Sequence, residues 1–246
     1  MLSLQDHRAE RLASLTAPNG WLNLVARVDL TPGTHLVGAA QNIRLPSGPD
    51  LLGTLTLRPD GASFARPGQA EQAFQPVPDG FPILQVDPFL LEIHTVDDTP
   101  ALRVRDLTLT SRAEIRYFPN DPGWIIRAAW QALPPEAAVV AMKDGSTAAV
   151  TLTHRASFAY QGRQVTLTPT HWKGGKPMFV FRDATAGESY AAARFLIGED
   201  MTDSQITLDF NRAFTPPCGF TDFAICPLPP PGNILPFRVE AGEKAP

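Results

Sequence analysis

Cysteine is scarce in this chain, with 2 cysteines in 246 residues, which is too few for a disulfide scaffold. No stretch of about 18 apolar residues occurs, so the sequence predicts no membrane-spanning segment and no membrane partner. The first residues carry charges where a signal peptide needs an apolar core. Together these absences predict a soluble, cytoplasmic protein.

Concentrated positive charge is also missing. The 21 Lys and Arg residues are outnumbered by 25 Asp and Glu residues, the formal net charge is -4, and no basic run is longer than two residues. Affinity for nucleic acid depends on a concentrated basic footprint, so nucleic acid is not an expected partner.

The motifs of several large enzyme classes are absent. The sequence contains no Gly-x-Ser-x-Gly elbow, no phosphate loop ending in Gly-Lys-Ser/Thr, no His-Glu-x-x-His and no Cys-x-x-Cys. The five histidines are far apart along the chain, and none has a second histidine at metal-ligand spacing. We therefore expect no metal site, and the sequence assigns no cofactor.

Proline and glycine are abundant, with 25 and 18 residues, and this content excludes a long helical bundle. Only the first segment has a helical pattern: Leu4, Leu12 and Leu15 are separated by charged residues until Pro18 and Gly20 end the run. The sequence therefore predicts an N-terminal helix within residues 1–18.

After this helix the apolar pattern changes to a period of two, which is typical of strands. Asp60-Gly61, Asp144-Gly145 and Lys173–Lys176 lie between such runs and predict hairpin turns. The fold class we expect is mostly β, an antiparallel sandwich or barrel with one N-terminal helix, forming a single β-rich domain over residues 1–246. The candidate strands are residues 21–30, 53–57, 83–86, 90–96, 102–109, 124–130, 138–142, 148–153, 164–168, 178–181, 189–196, 205–210 and 234–239.

Polar residues are embedded in apolar segments in the last third of the chain. Asp183 follows the strand-like run Phe179–Phe181, and Thr185 stands two residues later. This spacing is typical of a carboxylate that accepts hydrogen bonds from its own turn, and it also makes Asp183 a candidate catalytic base and Thr185 a candidate ligand contact.

Alternation along the next predicted strand places Tyr190 and Arg194 on one face. On the following strand, Asp209 and Asn211 share a polar face, so Arg194 and Asp209 are expected to pair if the two strands are neighbours. Two interpretations are open. Either the four residues line a polar pocket in which Arg194 holds an anionic or carbonyl-bearing ligand, or Arg194 and Asp209 form one cross-strand ion pair on a solvated face.

The segment 212–246 is rich in proline and predicts a stiff, extended C-terminal strap across the surface. Cys218 and Cys226 lie in this strap, separated by seven residues. Reduced structural cysteines, a disulfide and a nucleophilic Cys218 all remain open, whereas the spacing does not favour zinc.

Arg103 and Arg105 lie on one face of another predicted strand. They are either an anion contact, which makes Arg103 a candidate ligand-binding residue, or charges that protect an exposed sheet edge. The sequence favours the exposed edge.

The order of these elements resembles a family of bacterial and archaeal proteins known as domain of unknown function 1684. The resemblance covers almost the full chain and implies fold and membership, without an activity that could be carried over. One departure is Val25–Asp29, where the family tends to have Gly-Leu and an aromatic pair. The matching segments are 19–22, 42–46, 103–106, 117–121, 181–187, 190, 194–196, 209–211, 216–218, 220, 226–229, 233, 235 and 241–243.

Two functional hypotheses follow. In the first, a small polar or anionic ligand binds in a pocket of the C-terminal third; in an enzymatic version Asp183 or Asp209 is a general base, Arg194 orients an anionic group and Tyr190 donates a hydrogen bond. Asn211 completes this set, with Arg103, Thr185 and Cys218 as ligand contacts. In the second, the protein is not an enzyme, and its polar cluster fixes strand register.

Overall fold

The computed structural model describes residues 3–78, 80–96, 98–110 and 114–246. The prediction of a mostly-β, antiparallel fold with one N-terminal helix is confirmed: α1 spans Leu4–Thr16, and strands dominate the rest. Ser3 caps the helix, because its Oγ accepts a hydrogen bond from the backbone N–H of Asp6 at 3.1 Å and donates to the Asp6 carboxylate at 2.6 Å. None of the helices in the described part of the chain has the length and hydropathy of a membrane span.

The chain divides into two compact units, which we call the N-terminal unit (Ser14–Arg112) and the C-terminal unit (Met1–Ala13 with Ala113–Pro246). The interpretation of the whole sequence as one domain stays a prediction.

The N-terminal unit contains two antiparallel sheets, with strand orders β3-β2-β4-β5-β6 and β1-β9-β8-β7, in which only the short β2–β3 pairing is parallel among the described strands. The hairpin predicted at Asp60-Gly61 is confirmed as the turn between β4 and β5. Its strands are β1 (Leu24–Asp29), β2 (Gly33–Gly38), β3 (Ile43–Arg44), β4 (Gly53–Arg58), β5 (Gly61–Ala65), β6 (Gln72–Ala73), β7 (Ile83–Val86), β8 (Phe89–Val96) and β9 (Thr99–Asp106).

The C-terminal unit also has two antiparallel sheets, with orders β12-β11-β10-β16 and β13-β14-β15. The hairpins predicted at Asp144-Gly145 and Lys173–Lys176 connect β10 to β11 and β13 to β14, as expected. Phenylalanines 179, 181 and 210 are fully buried in the core between these elements. The strands are β10 (Ile125–Ala141), β11 (Thr147–Tyr160), β12 (Arg163–Leu167), β13 (His171–Lys173), β14 (Lys176–Phe181), β15 (Arg194–Ile197) and β16 (Gln205–Asp209).

Three strand predictions in this unit need correction. The two segments 124–130 and 138–142 belong to one long strand, β10, whose pairing with β11 shifts register between Ala132 and Glu136. The strand predicted over 189–196 begins only at Arg194, because the turn after Asp183 continues to Ser189 and the alanines that follow offer little side chain to pack. Residues 234–239 form no strand, since Pro236 removes a ladder donor.

The C-terminal strap, residues 212–246, is held by backbone hydrogen bonds, such as those between Phe214 and Phe195, and by polar side chains of both the strap and the sheets. The buried amide of Asn233 accepts from the Thr168 N–H at 2.9 Å and donates to the carbonyls of Thr168 and Val180 at 2.9 and 2.8 Å. Gly242 has φ +80°, and a Cβ there would collide with backbone carbonyl oxygens of the preceding segment. The strap is not confined to the surface as predicted, because Leu235 and Val239 are core residues.

Candidate functional site

Asp183 lies directly after β14, where the chain leaves the sheet, and the predicted turn around it is confirmed. Its carboxylate accepts from the Thr185 N–H at 3.2 Å and from the Thr185 hydroxyl at 3.0 Å. The Thr185 hydroxyl also lies 2.8 Å from Oγ of Ser189, and all three residues are buried. The turn therefore satisfies its own polar groups, and it presents the carboxylate to the interior of the unit.

Arg194, the first residue of β15, meets this carboxylate from the other side. Its Nη2 donates to Oδ1 of Asp183 at 2.8 Å and to the Val239 carbonyl at 2.9 Å, and its Nη1 donates to the Ala241 carbonyl. Both charged side chains are 1% exposed. Burial lowers the pKa of Arg194, and the negative charge of Asp183 acts in the opposite direction. The guanidinium thus joins the Asp183 turn to the C-terminal strap.

The predicted pair of Arg194 and Asp209 is wrong. Asp209 ends β16 and pairs with Arg212, whose Nε lies 3.0 Å from Oδ2 of Asp209. The prediction placed Arg194 in the middle of a strand that pairs with β16, whereas β15 pairs with β14 through Phe181. With a different neighbouring strand, the guanidinium meets a different carboxylate.

Asp209 and Asn211 lie together. Their side chains hold a loop that the sequence analysis did not identify as part of a site. Oδ1 of Asp209 accepts from the backbone N–H and from Nδ2 of Asn211, at 3.1 and 3.0 Å. The Asn211 amide then accepts from the Asp121 N–H at 3.1 Å and donates to the Asp121 carbonyl at 3.0 Å. A buried amide therefore holds the backbone of Asp121 on both sides.

Asp121 begins a short turn, Pro122–Trp124, and its Oδ1 accepts from the Gly123 N–H at 2.8 Å. This turn forms one wall of a cleft of about 460 Å³, which we call the Trp124 cleft. Ring contacts run along it: Trp124 stacks on Tyr160 at 4.9 Å between centroids, and Tyr160 meets Phe237 at 4.5 Å. The cleft is lined by Asp121, Trp124, Tyr160, Gln161, Phe237, Arg238 and Glu240.

A second aromatic cleft, of about 410 Å³, lies elsewhere on the C-terminal unit, and we call it the Trp172 cleft. The ring of His154 stacks on Trp130 at 4.7 Å, and Trp172 stands edge-on to both at the surface. The isolated histidine at position 154 is therefore part of an aromatic group.

Tyr190 and Cys218 come together at a third place. The Tyr190 hydroxyl donates to the Cys218 carbonyl at 2.8 Å and lies 3.8 Å from Sγ of Cys218. Nζ of Lys143 donates to the same carbonyl at 2.9 Å. Burial raises the pKa of Tyr190, and a hydrogen bond with Tyr190 raises the pKa of Lys143. The predicted polar face is thus divided, because Tyr190 faces Cys218 while Arg194 faces Asp183.

Arg103 lies in the N-terminal unit, on β9, and the exposed-edge interpretation is wrong. The strand has β1 on one side and β8 on the other, and Arg103 and Arg105 are both buried. Each donates to one oxygen of Glu92, at 3.1 and 3.2 Å. Burial lowers the pKa of Arg103, while hydrogen bonding to Glu92 opposes that change.

Sequence reasoning missed Lys143, Asp121, Trp124 and Tyr160 as parts of a site. Lys143 is adjacent to the predicted hairpin turn at Asp144-Gly145, and nothing in its local sequence distinguishes it from an ordinary turn residue. Asp121 and Trp124 bracket Pro122-Gly123, and an Asp before Pro-Gly is a turn signal that could have identified this loop.

Comparisons with known proteins confirm the family over residues 111–244, and the expected match of the segments before residue 111 stays a prediction. The family model described as "Protein of unknown function (DUF1684)" matches residues 111–244. Among solved structures, the solution NMR structure of an uncharacterized protein from Haloarcula marismortui is 32% identical, covers 53% of this chain and 75% of that chain, and has a TM-score of 0.44. A comparison with the curated proteins gives no match.

Proposed function

The chain belongs to the DUF1684 family, and from the geometry of its C-terminal unit we propose that it binds a small polar ligand in the Trp124 cleft. One observation carries the proposal. The buried Asn211 amide, itself held by Asp209, uses both its carbonyl oxygen and its N–H₂ group on the backbone of Asp121, at the wall of the cleft. Such support fixes a loop in place before a ligand arrives, which reduces the entropy cost of binding.

The lining indicates the class of ligand. Aromatic rings pack against flat apolar faces, and carboxylates accept hydrogen bonds from hydroxyl groups. Asp121 and Glu240 bring two negative charges to the cleft against the single positive charge of Arg238, so the lining favours a neutral ligand over an anionic one. A polyhydroxylated molecule such as a monosaccharide has both features.

The proposal assigns supporting roles to Asp209 and Asn211, which position the loop. Arg194, Asp183 and Thr185 are left out of it, because these buried side chains bond to one another and to the strap. The cytoplasmic location expected from the sequence is part of the proposal, and it is consistent with two cysteines that are free.

The test is a titration of the purified chain with a panel of neutral monosaccharides and one sugar phosphate, followed by ligand-observed saturation-transfer NMR. We expect signals from a neutral sugar and their loss in Tyr160→Ala, which removes the central ring of the cleft. Trp172→Ala is the matched control, since it removes an aromatic ring from the other cleft and should leave the signals unchanged.

Several results contradict the proposal. If no sugar of the panel gives a signal, or if Tyr160→Ala binds as well as the unmodified chain while keeping its circular dichroism spectrum, the Trp124 cleft is not the site. If only the sugar phosphate binds and Tyr160→Ala abolishes that binding, the cleft is right and the neutral class is wrong.

A second candidate function rests on Arg194. Its bonds to Asp183, Val239 and Ala241 support the hypothesis that the predicted cluster is a structural network that fixes the C-terminal strap. This hypothesis predicts a loss of stability on removal of the guanidinium, with no dependence on any ligand.

A further inference from the structure

The two cysteines are neighbours in space as well as in the strap. Cys218 lies in the short turn Pro217–Gly219, and its backbone N–H donates to Sγ of Cys226 at 3.4 Å. Both thiols are free and buried, at 4% exposure. The fold thus places one thiol beside the other without joining them.

Lys143 lies in the turn that follows β10, and it connects both cysteine segments to this hairpin. Its backbone N–H donates to the Cys226 carbonyl at 2.9 Å, and its Nζ donates to the Cys218 carbonyl at 2.9 Å. The Tyr190 hydroxyl approaches Sγ of Cys218 to 3.8 Å. The pair therefore lies beside an ammonium group and a hydroxyl donor, and both favour a negatively charged sulfur.

The two sulfurs are not equivalent. Interaction with the neighbouring Cys226 thiol, then the Tyr190 hydroxyl and the charge of Lys143, lowers the pKa of Cys218 to about 7 against the effect of burial. The pKa of Cys226 is raised, first by its hydrogen bond to Cys218 and then by burial. Ionisation of Cys218 is therefore favoured over that of Cys226, on the side of the pair that the Tyr190 hydroxyl approaches.

We propose that Cys218 and Cys226 form an oxidisable dithiol, in which Cys218 reacts with a small peroxide and Cys226 resolves the product as a disulfide. The proposal is independent of ligand binding in the Trp124 cleft, because it uses none of the residues that line that cleft. The low exposure of both thiols selects for a small oxidant such as hydrogen peroxide.

The reaction balances in two steps. Sulfur of Cys218 attacks one peroxide oxygen, so that an S–O bond forms, the O–O bond breaks, and the departing oxygen leaves as water with the proton lost from Cys218 and the other peroxide hydrogen. Sulfur of Cys226 then attacks sulfur of Cys218; the S–S bond forms, the S–O bond breaks, and the hydroxyl leaves as water with the Cys226 proton. Two thiols and one hydrogen peroxide give one disulfide and two waters.

The experiment treats the full-length, reduced chain with hydrogen peroxide and measures its intact mass and its peptide map. We expect a mass lower by two hydrogens, a peptide pair joined through Cys218 and Cys226, and return to the original mass with dithiothreitol. In Cys226→Ser we expect a sulfenic acid at Cys218 that is trapped by dimedone. In Cys218→Ser we expect the remaining thiol to stay unmodified.

Met201 provides an internal control, because its side chain is exposed and thioethers are oxidised by peroxide. If Met201 is converted to its sulfoxide while both thiols stay reduced, the proposal is overturned. It is also overturned if Cys218 goes to the sulfinic acid in the unmodified chain without forming a disulfide.

Lys143 offers a finer measurement that does not require removal of a cysteine. We expect Lys143→Gln to slow the reaction of Cys218 with peroxide at pH 7 several-fold, and Lys143→Arg to restore most of the rate. Equal rates in the unmodified chain, Lys143→Gln and Lys143→Arg would contradict the proposed role of the Lys143 ammonium group in activating Cys218.

Discussion

Two arginines form ion pairs at the strap, one from outside it and one within it, and their surroundings differ sharply. Arg194 is 1% exposed and bonds to Asp183 and to two strap carbonyls. Arg238 belongs to the strap, is 45% exposed, and bonds to Glu188 and Glu240, at 2.7 and 2.8 Å. By distance alone, the Arg238 pairs are as good as the buried one.

The comparison indicates how much stability is lost when one residue of an ion pair is removed. The loss depends on whether water can solvate the charged residue that remains. Water can solvate Glu188 and Glu240 if Arg238 is removed, so little is lost. The Asp183 side chain is only 1% exposed, so removal of Arg194 leaves a buried charge without its counter-ion and two carbonyls without this donor. Three substitutions test this comparison.

The largest effect is expected for Arg194→Ala. Removal of one partner from a buried pair costs about 3–5 kcal/mol, and the free energy of unfolding should fall by that amount. For a chain of this size each kcal/mol corresponds to roughly 2–4 °C in melting temperature. The measurement is thermal unfolding followed by circular dichroism, and a melting temperature equal to that of the unmodified chain would contradict the structural network.

An intermediate effect is expected for Arg11→Ala in helix α1. Arg11 is 15% exposed and donates at 2.9 Å to Glu243, which is 2% exposed and keeps a second hydrogen bond from the Thr215 N–H. Both Glu243 and Asp183 keep backbone donors, but removal of Arg11 leaves one carbonyl, that of Thr215, without this donor where removal of Arg194 leaves two. Because Arg11 is also partly exposed, we expect a loss of about 1–3 kcal/mol. Denaturant unfolding measures it, and a loss as large as that of Arg194→Ala would show that the burial of the remaining carboxylate decides the loss and the exposure of the arginine does not.

The smallest effect is expected for Arg238→Ala, the matched exposed control. We expect an unfolding curve that coincides with that of the unmodified chain at physiological salt, because exposed pairs are screened. A small difference at low ionic strength that disappears on addition of salt would sharpen the comparison, whereas a difference that persists in high salt would break it.

The sequence predicted the fold well where local chemistry decides it. The helix, the hairpin turns at residues 60–61 and 144–145, and the Asp183 turn follow from spacing and turn residues alone. The prediction was wrong at Ile234–Val239, because apolar alternation there serves burial under the sheets without ladder hydrogen bonds. Among the strands that were not predicted, Gly33–Gly38 has little alternation to detect.

The polar residues themselves were identified correctly as unusual, but their partners were not. Arg194 was paired with Asp209 because the prediction assumed that their strands were neighbours, and only the three-dimensional fold shows that β15 lies beside β14. Long-range pairs such as Lys143 with Cys218 have no local signature in a single sequence. Site membership of Asp209, Asn211 and Tyr190 stays a prediction.

Arg194 binds main-chain atoms of the strap, not its side chains. Arg194 binds the carbonyls of Val239 and Ala241, and every amino acid in those places would offer the same oxygen atoms. Spacing, however, cannot change freely, because one residue inserted or deleted between them would turn a carbonyl away from the guanidinium. The polar contacts therefore constrain the number of residues in this part of the chain more strictly than they constrain which residues these are. Insertions here should be tolerated less than substitutions.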